Sequence, residues 1–295
     1  MRARLWTREQ FLFLFPAFVL LTVVVVLPIL RVLQLSVMRT ELSGELVLHW
    51  SGLDPAIRLW QDGRWWAALR NTVLFTASSV AIEMVLGVAI ALLLHRRFPG
   101  RGALRAIVVL PWALPTAIMA LAWAWIFNDS FGVLNDVLRR LGLIESPVAW
   151  LGSPGTSMLA LVIADVWKTT PFVALIVLAG LQAIPEPVLD AARLDGLSPW
   201  RRFRRIVLPL LAPSLLVAVA FRSVQAYGAF DLPYVMTGGG PGGATETVSL
   251  YAYQNYFRYL DFGYGSVIAV QGALLMVLAA ALFAVAGRFL RRRGS

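Results

Sequence analysis

Apolar residues in this chain come in six long runs, at about 10–31, 68–94, 105–127, 157–183, 209–235 and 263–288. Each is near or above the ~20 residues that a helix needs to cross a bilayer. Pro16, Pro28, Pro111, Pro115 and Pro171 lie inside or beside these runs. Kinks are tolerated there because neighbouring helices, Ser/Thr groups and water satisfy the freed carbonyls. The pattern predicts an all-α transmembrane fold in one domain spanning 1–295. One polar stretch between runs has a shape of its own. Residues 187–195 predict a short helix and Gly196 a break, while Ser198 and Pro199 predict the cap and first turn of a second helix that closes before Pro209. Two short helices meeting at a glycine make a rigid knob, suited to fit a groove on a partner.

Composition agrees with the pattern. With 59% hydrophobic and 14% charged residues in 295, a water-soluble form would need an oversized core and a nearly bare surface. The formal charge of +10 is carried by arginines that alternate with the spans instead of forming one stripe, which argues for topology and against a nucleic-acid partner. One set of loops and termini holds Arg2, Arg4, Arg8, Arg96, Arg97, Arg101, Arg105, Arg193, Arg201, Arg202, Arg204, Arg205, Arg288, Arg291, Arg292 and Arg293. The opposite loops dilute their arginines with acids such as Glu41, Glu45, Asp54, Asp62, Asp129, Asp136 and Asp261. Both termini and the knob are therefore expected on the cytoplasmic side. The run Arg201–Arg205 also suits acidic membrane lipid or an acidic rim on a cytoplasmic partner. The first apolar run is too long for a secretory signal and reads as an uncleaved span.

Several chemistries are excluded. Cysteine is absent, and His49 and His95 fall on opposite faces in this topology, so no metal site is expected. The single lysine, Lys168, is not preceded by the glycines of a phosphate-binding loop, and Gly238–Gly243 lacks a lysine. No nucleotide or other cofactor is expected on this chain, and it is not expected to be an enzyme.

The knob reads Asp190-Ala191-Ala192-Arg-Leu-Asp195-Gly196, followed by Phe203, Ile206, Leu208 and Pro209. It resembles the E-A-A motif of membrane subunits of binding-protein-dependent ABC importers, with aspartate at 190 where glutamate is usual and leucine at 197 where alanine is usual. Trp167-Lys-Thr-Thr-Pro171-Phe172, Tyr234-Val-Met-Thr-Gly-Gly-Gly-Pro241 and Ser249-Leu-Tyr-Ala-Tyr253 are similar to the sugar-permease branch, of maltose and trehalose type. The resemblance covers about 65–290. It implies a six-helix type I importer permease fold in a prokaryotic cytoplasmic membrane. It also implies a second, non-identical permease, two ATPase subunits that hold ATP and Mg, and an extracytoplasmic sugar-binding protein. Segment 187–208 would couple to the ATPases through Asp190, Ala191, Ala192, Asp195, Gly196 and Phe203.

Ionisable residues within the spans mark where cargo would pass, because they are costly there unless paired or facing water. Glu83, Asp165, Lys168, Arg222 and Asp231 are such residues. Asp165, Lys168 and Phe172 share one helical face, as do Arg222, Gln225 and Ala229. By resemblance, Lys168, Thr169, Phe172, Arg222, Gln225 and Ala226 fall at the sugar site, with Asp165 and Asp231 beside it, and Glu83 has no assigned role. Hydroxyl groups would find donors and acceptors there, and a pyranose ring an aromatic face. Buried pairs of Asp165 with Lys168, or of Arg222 with Asp231, that only fix helix packing remain equally open. A permease for polyamine or another solute, or an ion-coupled secondary transporter using Asp165, Lys168 or Asp231, stands as the alternative.

Overall fold

The computed structural model describes residues 8–42 and 46–293. Arg2, Arg4 and Glu45 lie outside them, as do the side chains of Arg288, Arg291, Arg292 and Arg293. The described chain is mostly helical. Helices α1 (Arg8–Leu21) and α2 (Leu27–Leu35) are joined by a π-helical turn, Thr22–Val26. Strands β1 (Met38–Leu42) and β2 (Leu46–Trp50) follow, then α3 (Asp54–Gln61), α4 (Gly63–His95), α5 (Arg101–Ala113), α6 (Thr116–Ile126), α7 (Val133–Arg140) and α8 (Pro154–Gln182). The knob consists of α9 (Glu186–Leu194) and α10 (Pro199–Arg202), which a second π-turn, Phe203–Val207, joins to α11 (Leu208–Tyr227). Last come α12 (Asp231–Thr237), α13 (Val248–Phe257) and α14 (Phe262–Arg293).

Among the described residues, five stretches are long and apolar enough to cross a membrane: Leu12–Leu35, Gly63–His95, Pro154–Gln182, Pro199–Tyr227 and Phe262–Phe283. Helices α5 and α6 make a sixth if their 93° bend lies within one crossing. The bend falls within the run read at 105–127. Leu114 precedes a proline and is extended, with ψ 138°, and Pro115 itself is extended at ψ 132°. A residue before proline is pushed out of the helical region, so the helix stops there.

Three further departures have local causes. The hairpin pairs Met38 with Trp50 and Thr40 with Leu48, and so departs from the all-α expectation. Its second strand carries two strand-forming side chains, Val47 and Trp50. The second knob helix does not close before Pro209 but runs on as Pro199–Tyr227. The Leu208 amide bonds back five residues to the Phe203 carbonyl, and this wide turn relieves the clash a proline ring would make with the carbonyl four residues earlier. The same device precedes Pro28, where the Leu27 amide bonds to Thr22. The run read at 209–235 is in turn split at Gly228 into α11 and α12.

By internal contacts the chain divides into two compact units. One is the chain up to Trp65 with Tyr251–Ala273, and the other is Trp66–Leu250 with the chain from Leu274 onward. In the first, Asp62 caps the start of α4, accepting the Arg64 amide at 2.8 Å, and also takes the hydroxyls of Tyr251 and, at 2.6 Å, Tyr264. Burial alone would raise the Asp62 carboxyl, but these hydrogen bonds hold it below its ordinary value of 3.8. Burial and the bond to Asp62 together push the Tyr251 phenol up. The guanidinium of Arg64 lies over the Tyr251 ring, 4.8 Å from its centroid.

In the second unit α8 is the axis, packing against α5, α11 and α12, while α12 also packs against α6. Gly87 lets α4 approach α8: a Cβ there would sit 2.8 Å from Val173 Cβ and 3.2 Å from the Ala174 amide. One apolar cluster, with Phe75, Met119, Leu161 and Leu232, and a second, with Leu94, Val173, Leu181 and Leu211, fill the space on either side of the polar residues described next.

Candidate functional site

Arg222 of α11 organises the polar interior of the second unit. It is 2% exposed. Its Nε donates to Glu83 Oε2 at 2.5 Å and its Nη2 to Glu83 Oε1 at 2.8 Å, a two-pronged fork on one carboxylate. Nη2 also donates to Asp165 Oδ2 at 3.0 Å, and Nη1 to Gln225 Oε1 at 3.0 Å. Four of the five guanidinium N–H groups are thereby committed. The Thr169 hydroxyl lies 2.7 Å from Glu83 Oε1 and 2.6 Å from the Asp165 carbonyl oxygen. Helices α4, α8 and α11 are clasped by this one network. Side-chain exposure grades across its charged members, 0% for Glu83, 3% for Arg222 and 13% for Asp165, so Asp165 is the least buried of the three.

Lys168, three residues from Asp165, donates to the Leu114 carbonyl at 2.8 Å. That carbonyl is freed by the break between α5 and α6, so the lysine ties α8 to the elbow. Phe172, one turn further, lies 5.7 Å from the Trp112 ring and 5.0 Å from the Phe221 ring, centroid to centroid. Gln225 is exposed beside them. Asp231 is exposed in the first turn of α12, where the helix dipole favours an acid. Ala226 is buried at 2% among apolar neighbours, outside the polar network. Ala229 lies beyond the end of α11 and so does not continue the face of Arg222 and Gln225.

The pairings read from sequence come out differently in space. Arg222 takes Glu83 and Asp165 where Asp231 had been considered, and Lys168 takes a backbone carbonyl where Asp165 had been considered. Glu83, which the sequence left without a role, holds Arg222, and Trp112 and Phe221 join the site unannounced. A signal existed for Glu83: it is the one acid in the run 68–94, and Arg222 is the one base in 209–235. Trp112 and Phe221 carried none, since aromatic residues are common in spans.

The knob is built by equally local means. Gly196 has φ +70° and the Leu197 amide bonds to the Ala192 carbonyl at 3.3 Å, the left-handed helix end that glycine allows. Ala192 is buried, and Leu189 and Phe203 pack on the cluster that holds Leu181 and Val207. Asp190, Ala191, Asp195 and Gly196 are exposed, with Asp190 paired to Arg193 at 2.5 Å. Leu194, 89% exposed, and Trp200, 68% exposed, project apolar surface from the same segment. Ser198 stands at the start of α10, but its hydroxyl makes no capping bond.

A cleft of about 620 Å³ between α4, α11 and α14 is lined by apolar residues including Val73, Met84, Val219 and Met276, and none of the polar network lines it. Among the described residues no group of three His, Cys, Asp or Glu side chains could hold a metal ion.

The model of the family described as binding-protein-dependent transport system inner membrane component matches residues 83–294. The chain is 43% identical over 281 residues to a trehalose/maltose transport system permease protein of Thermococcus litoralis, covering 95% of this chain and 94% of the relative. It is 39% identical over 282 residues to a sulfoquinovosyl glycerol transport system permease protein of Agrobacterium fabrum, covering 96% and 90%. A trehalose transport system permease protein of Mycobacterium tuberculosis is 38% identical, covering 89% and 83%. Among solved structures, a chain of a bacterial ABC transporter that imports the acidic polysaccharide alginate superposes with a TM-score of 0.83, 20% identity and 95% of each chain covered. That likeness is one of fold.

Proposed function

The chain belongs to the binding-protein-dependent transport system inner membrane component family, and from that premise we propose that it is one permease subunit of an ATP-driven sugar importer. The cargo is a disaccharide such as trehalose or maltose, or an oligosaccharide. The observation that carries this reading is the polar and aromatic face of α8 and α11. Asp165, Lys168 and Gln225 offer acceptors and donors beside the Phe172, Phe221 and Trp112 rings, in helices that are otherwise apolar. Sugar hydroxyls fit the first group and the apolar side of a pyranose fits the second. Thr169 and Arg222 hold this face in place from behind, Asp231 stands at its edge, and Ala226 supports it from the core.

The face is open, and a second, non-identical permease supplies the opposite wall. The six-span arrangement counts α5 and α6 as one crossing and leaves both termini and the knob in the cytoplasm. Two ATPase subunits dock on the exposed part of the knob, around Asp190, Ala191, Asp195 and Gly196, and carry ATP and Mg. Their closure is passed through the segment 187–208 to α11, which it joins without a break and whose Arg222 and Gln225 lie at the cargo face. A binding protein outside delivers the sugar to the outward-facing form. Each ligand must favour one conformation for such coupling, since equal affinity for both shifts nothing.

Reconstitution tests the reading. The chain, its second permease, the ATPases and the binding protein in proteoliposomes should take up a disaccharide only with ATP. Phe172→Ala should cut uptake at least about tenfold while ATPase assembly stays intact. Solute uptake by the chain alone, driven by an ion gradient, would refute it.

A further inference from the structure

The charged groups at the cargo face do not balance in favour of an anion. Among the described side chains that make up the polar network and the rings beside it, the cations are Lys168 of α8 and Arg222 of α11, and α6 and α12 carry none. Three carboxylates, Glu83, Asp165 and Asp231, stand against these two, a formal excess of one negative charge. The geometry matters more than the count. Glu83 takes Arg222 in a fork, Asp165 takes a further N–H and Gln225 a fourth, so the guanidinium meets two carboxylates inside the protein and keeps one Nη1 N–H, which is no fork for a third. Lys168 is spent in part on the Leu114 carbonyl, and the charges acting on it include Asp165 and Asp231. An arginine meant to receive an acidic sugar would present its fork towards the cargo; this one presents it to Glu83, at 0% side-chain exposure.

We propose that Glu83 and Asp165 form a charge mask over Arg222, so that the site accepts uncharged sugars and rejects those bearing a carboxylate or sulfonate. The inference rests on the sugar-permease reading. An acidic sugar would have to bring its own negative charge against the surplus of the site in a medium that screens poorly, without a free fork to receive it. An uncharged sugar meets no such cost and uses the same hydroxyl partners and rings.

The test uses the whole transporter in lipid nanodiscs and saturation-transfer difference NMR, which reads weak binding to the membrane chains without the binding protein. The probes are trehalose and trehalose oxidised to a carboxylate at one C6. Trehalose should give a signal that Phe172→Ala abolishes, and the uronate should bind at least about tenfold more weakly. Asp165→Asn, which removes one carboxylate from Arg222, should narrow the ratio of the two affinities to about threefold or less. Asp231→Asn should narrow it in the same direction, and serves if the first variant does not assemble. Equal or tighter binding of the uronate by the unaltered transporter, or a ratio unchanged in both variants, would overturn the mask. If neither sugar gives a Phe172-dependent signal, the sugar reading itself fails, and the mask with it.

Discussion

Removing Arg222 should be among the most damaging single changes in the chain, and its cost can be worked from the geometry. At 2.5 and 2.8 Å from the two Glu83 oxygens, the guanidinium gains about 6 kcal/mol of direct attraction at an effective dielectric constant near 20. Desolvating both groups, exposed only 3% and 0%, offsets several kcal/mol of that. Arg222→Gln leaves Glu83 buried without its cation, and the expected loss is about 3–5 kcal/mol. Glu83→Gln keeps the shape of the acceptor and leaves Asp165 on the guanidinium, so it should cost less, about 1–3 kcal/mol. In Glu83→Gln/Arg222→Gln both charges are gone, and the pair should be coupled by about 2 kcal/mol. Unfolding of the purified chain in mixed detergent micelles, followed by its 11 tryptophans, measures the three variants against the parent. Losses that add to within about 0.5 kcal/mol would refute the view that the two groups act as a unit.

The other expectations are shorter. Gly87→Leu should destabilise the chain by about 1–3 kcal/mol, because any Cβ there presses on Val173, and a lowered thermal midpoint reads it. Gly196→Val forces a branched side chain into φ +70°, a strain of about 1–3 kcal/mol; uptake should fall while membrane insertion persists, and normal uptake would count against the knob as a lever. Lys168→Met takes the charged donor from the Leu114 carbonyl, and because the contact is exposed the cost should be about 0.5–1.5 kcal/mol, which hydrogen exchange at the elbow should report as faster opening. Asp62 is held below 3.8 in the folded chain, so its contribution to stability is fully present above 3.8 and is lost as pH falls from there through the lower folded value. Proteolysis around α13 between pH 5 and 2.5 should show that loss, and Asp62→Asn should flatten it.

The membrane class and the knob were legible because their signals are local. A run of about twenty apolar residues has one economical environment, and Asp195-Gly196 followed by Ser198-Pro199 stops one helix and starts another through backbone preferences alone. The helix ends were less legible, since the run 209–235 is cut at Gly228 and prolines act at a distance of several positions. Pro115 broke a span that composition presents as continuous, and Pro209, which reads as a stop, is carried through by a π-turn that hydrophobicity does not encode. The hairpin was hidden by its brevity.

At the candidate site, Glu83, Asp165, Lys168, Arg222 and Asp231 were singled out because polar groups inside apolar runs stand out whatever they touch, while Thr169, Phe172, Gln225 and Ala226 were placed there only by the family resemblance. The sequence could not say which of them are spent on each other. Whether Arg222 faces cargo or Glu83 depends on how three helices, from positions 139 and 57 residues apart in the chain, turn their faces together. That is settled by the close approach at Gly87, the apolar clusters on either side and the fork geometry of one guanidinium. A hydrophobic pattern records only how much of a helix must leave water; which side chain meets which is decided when the faces pack.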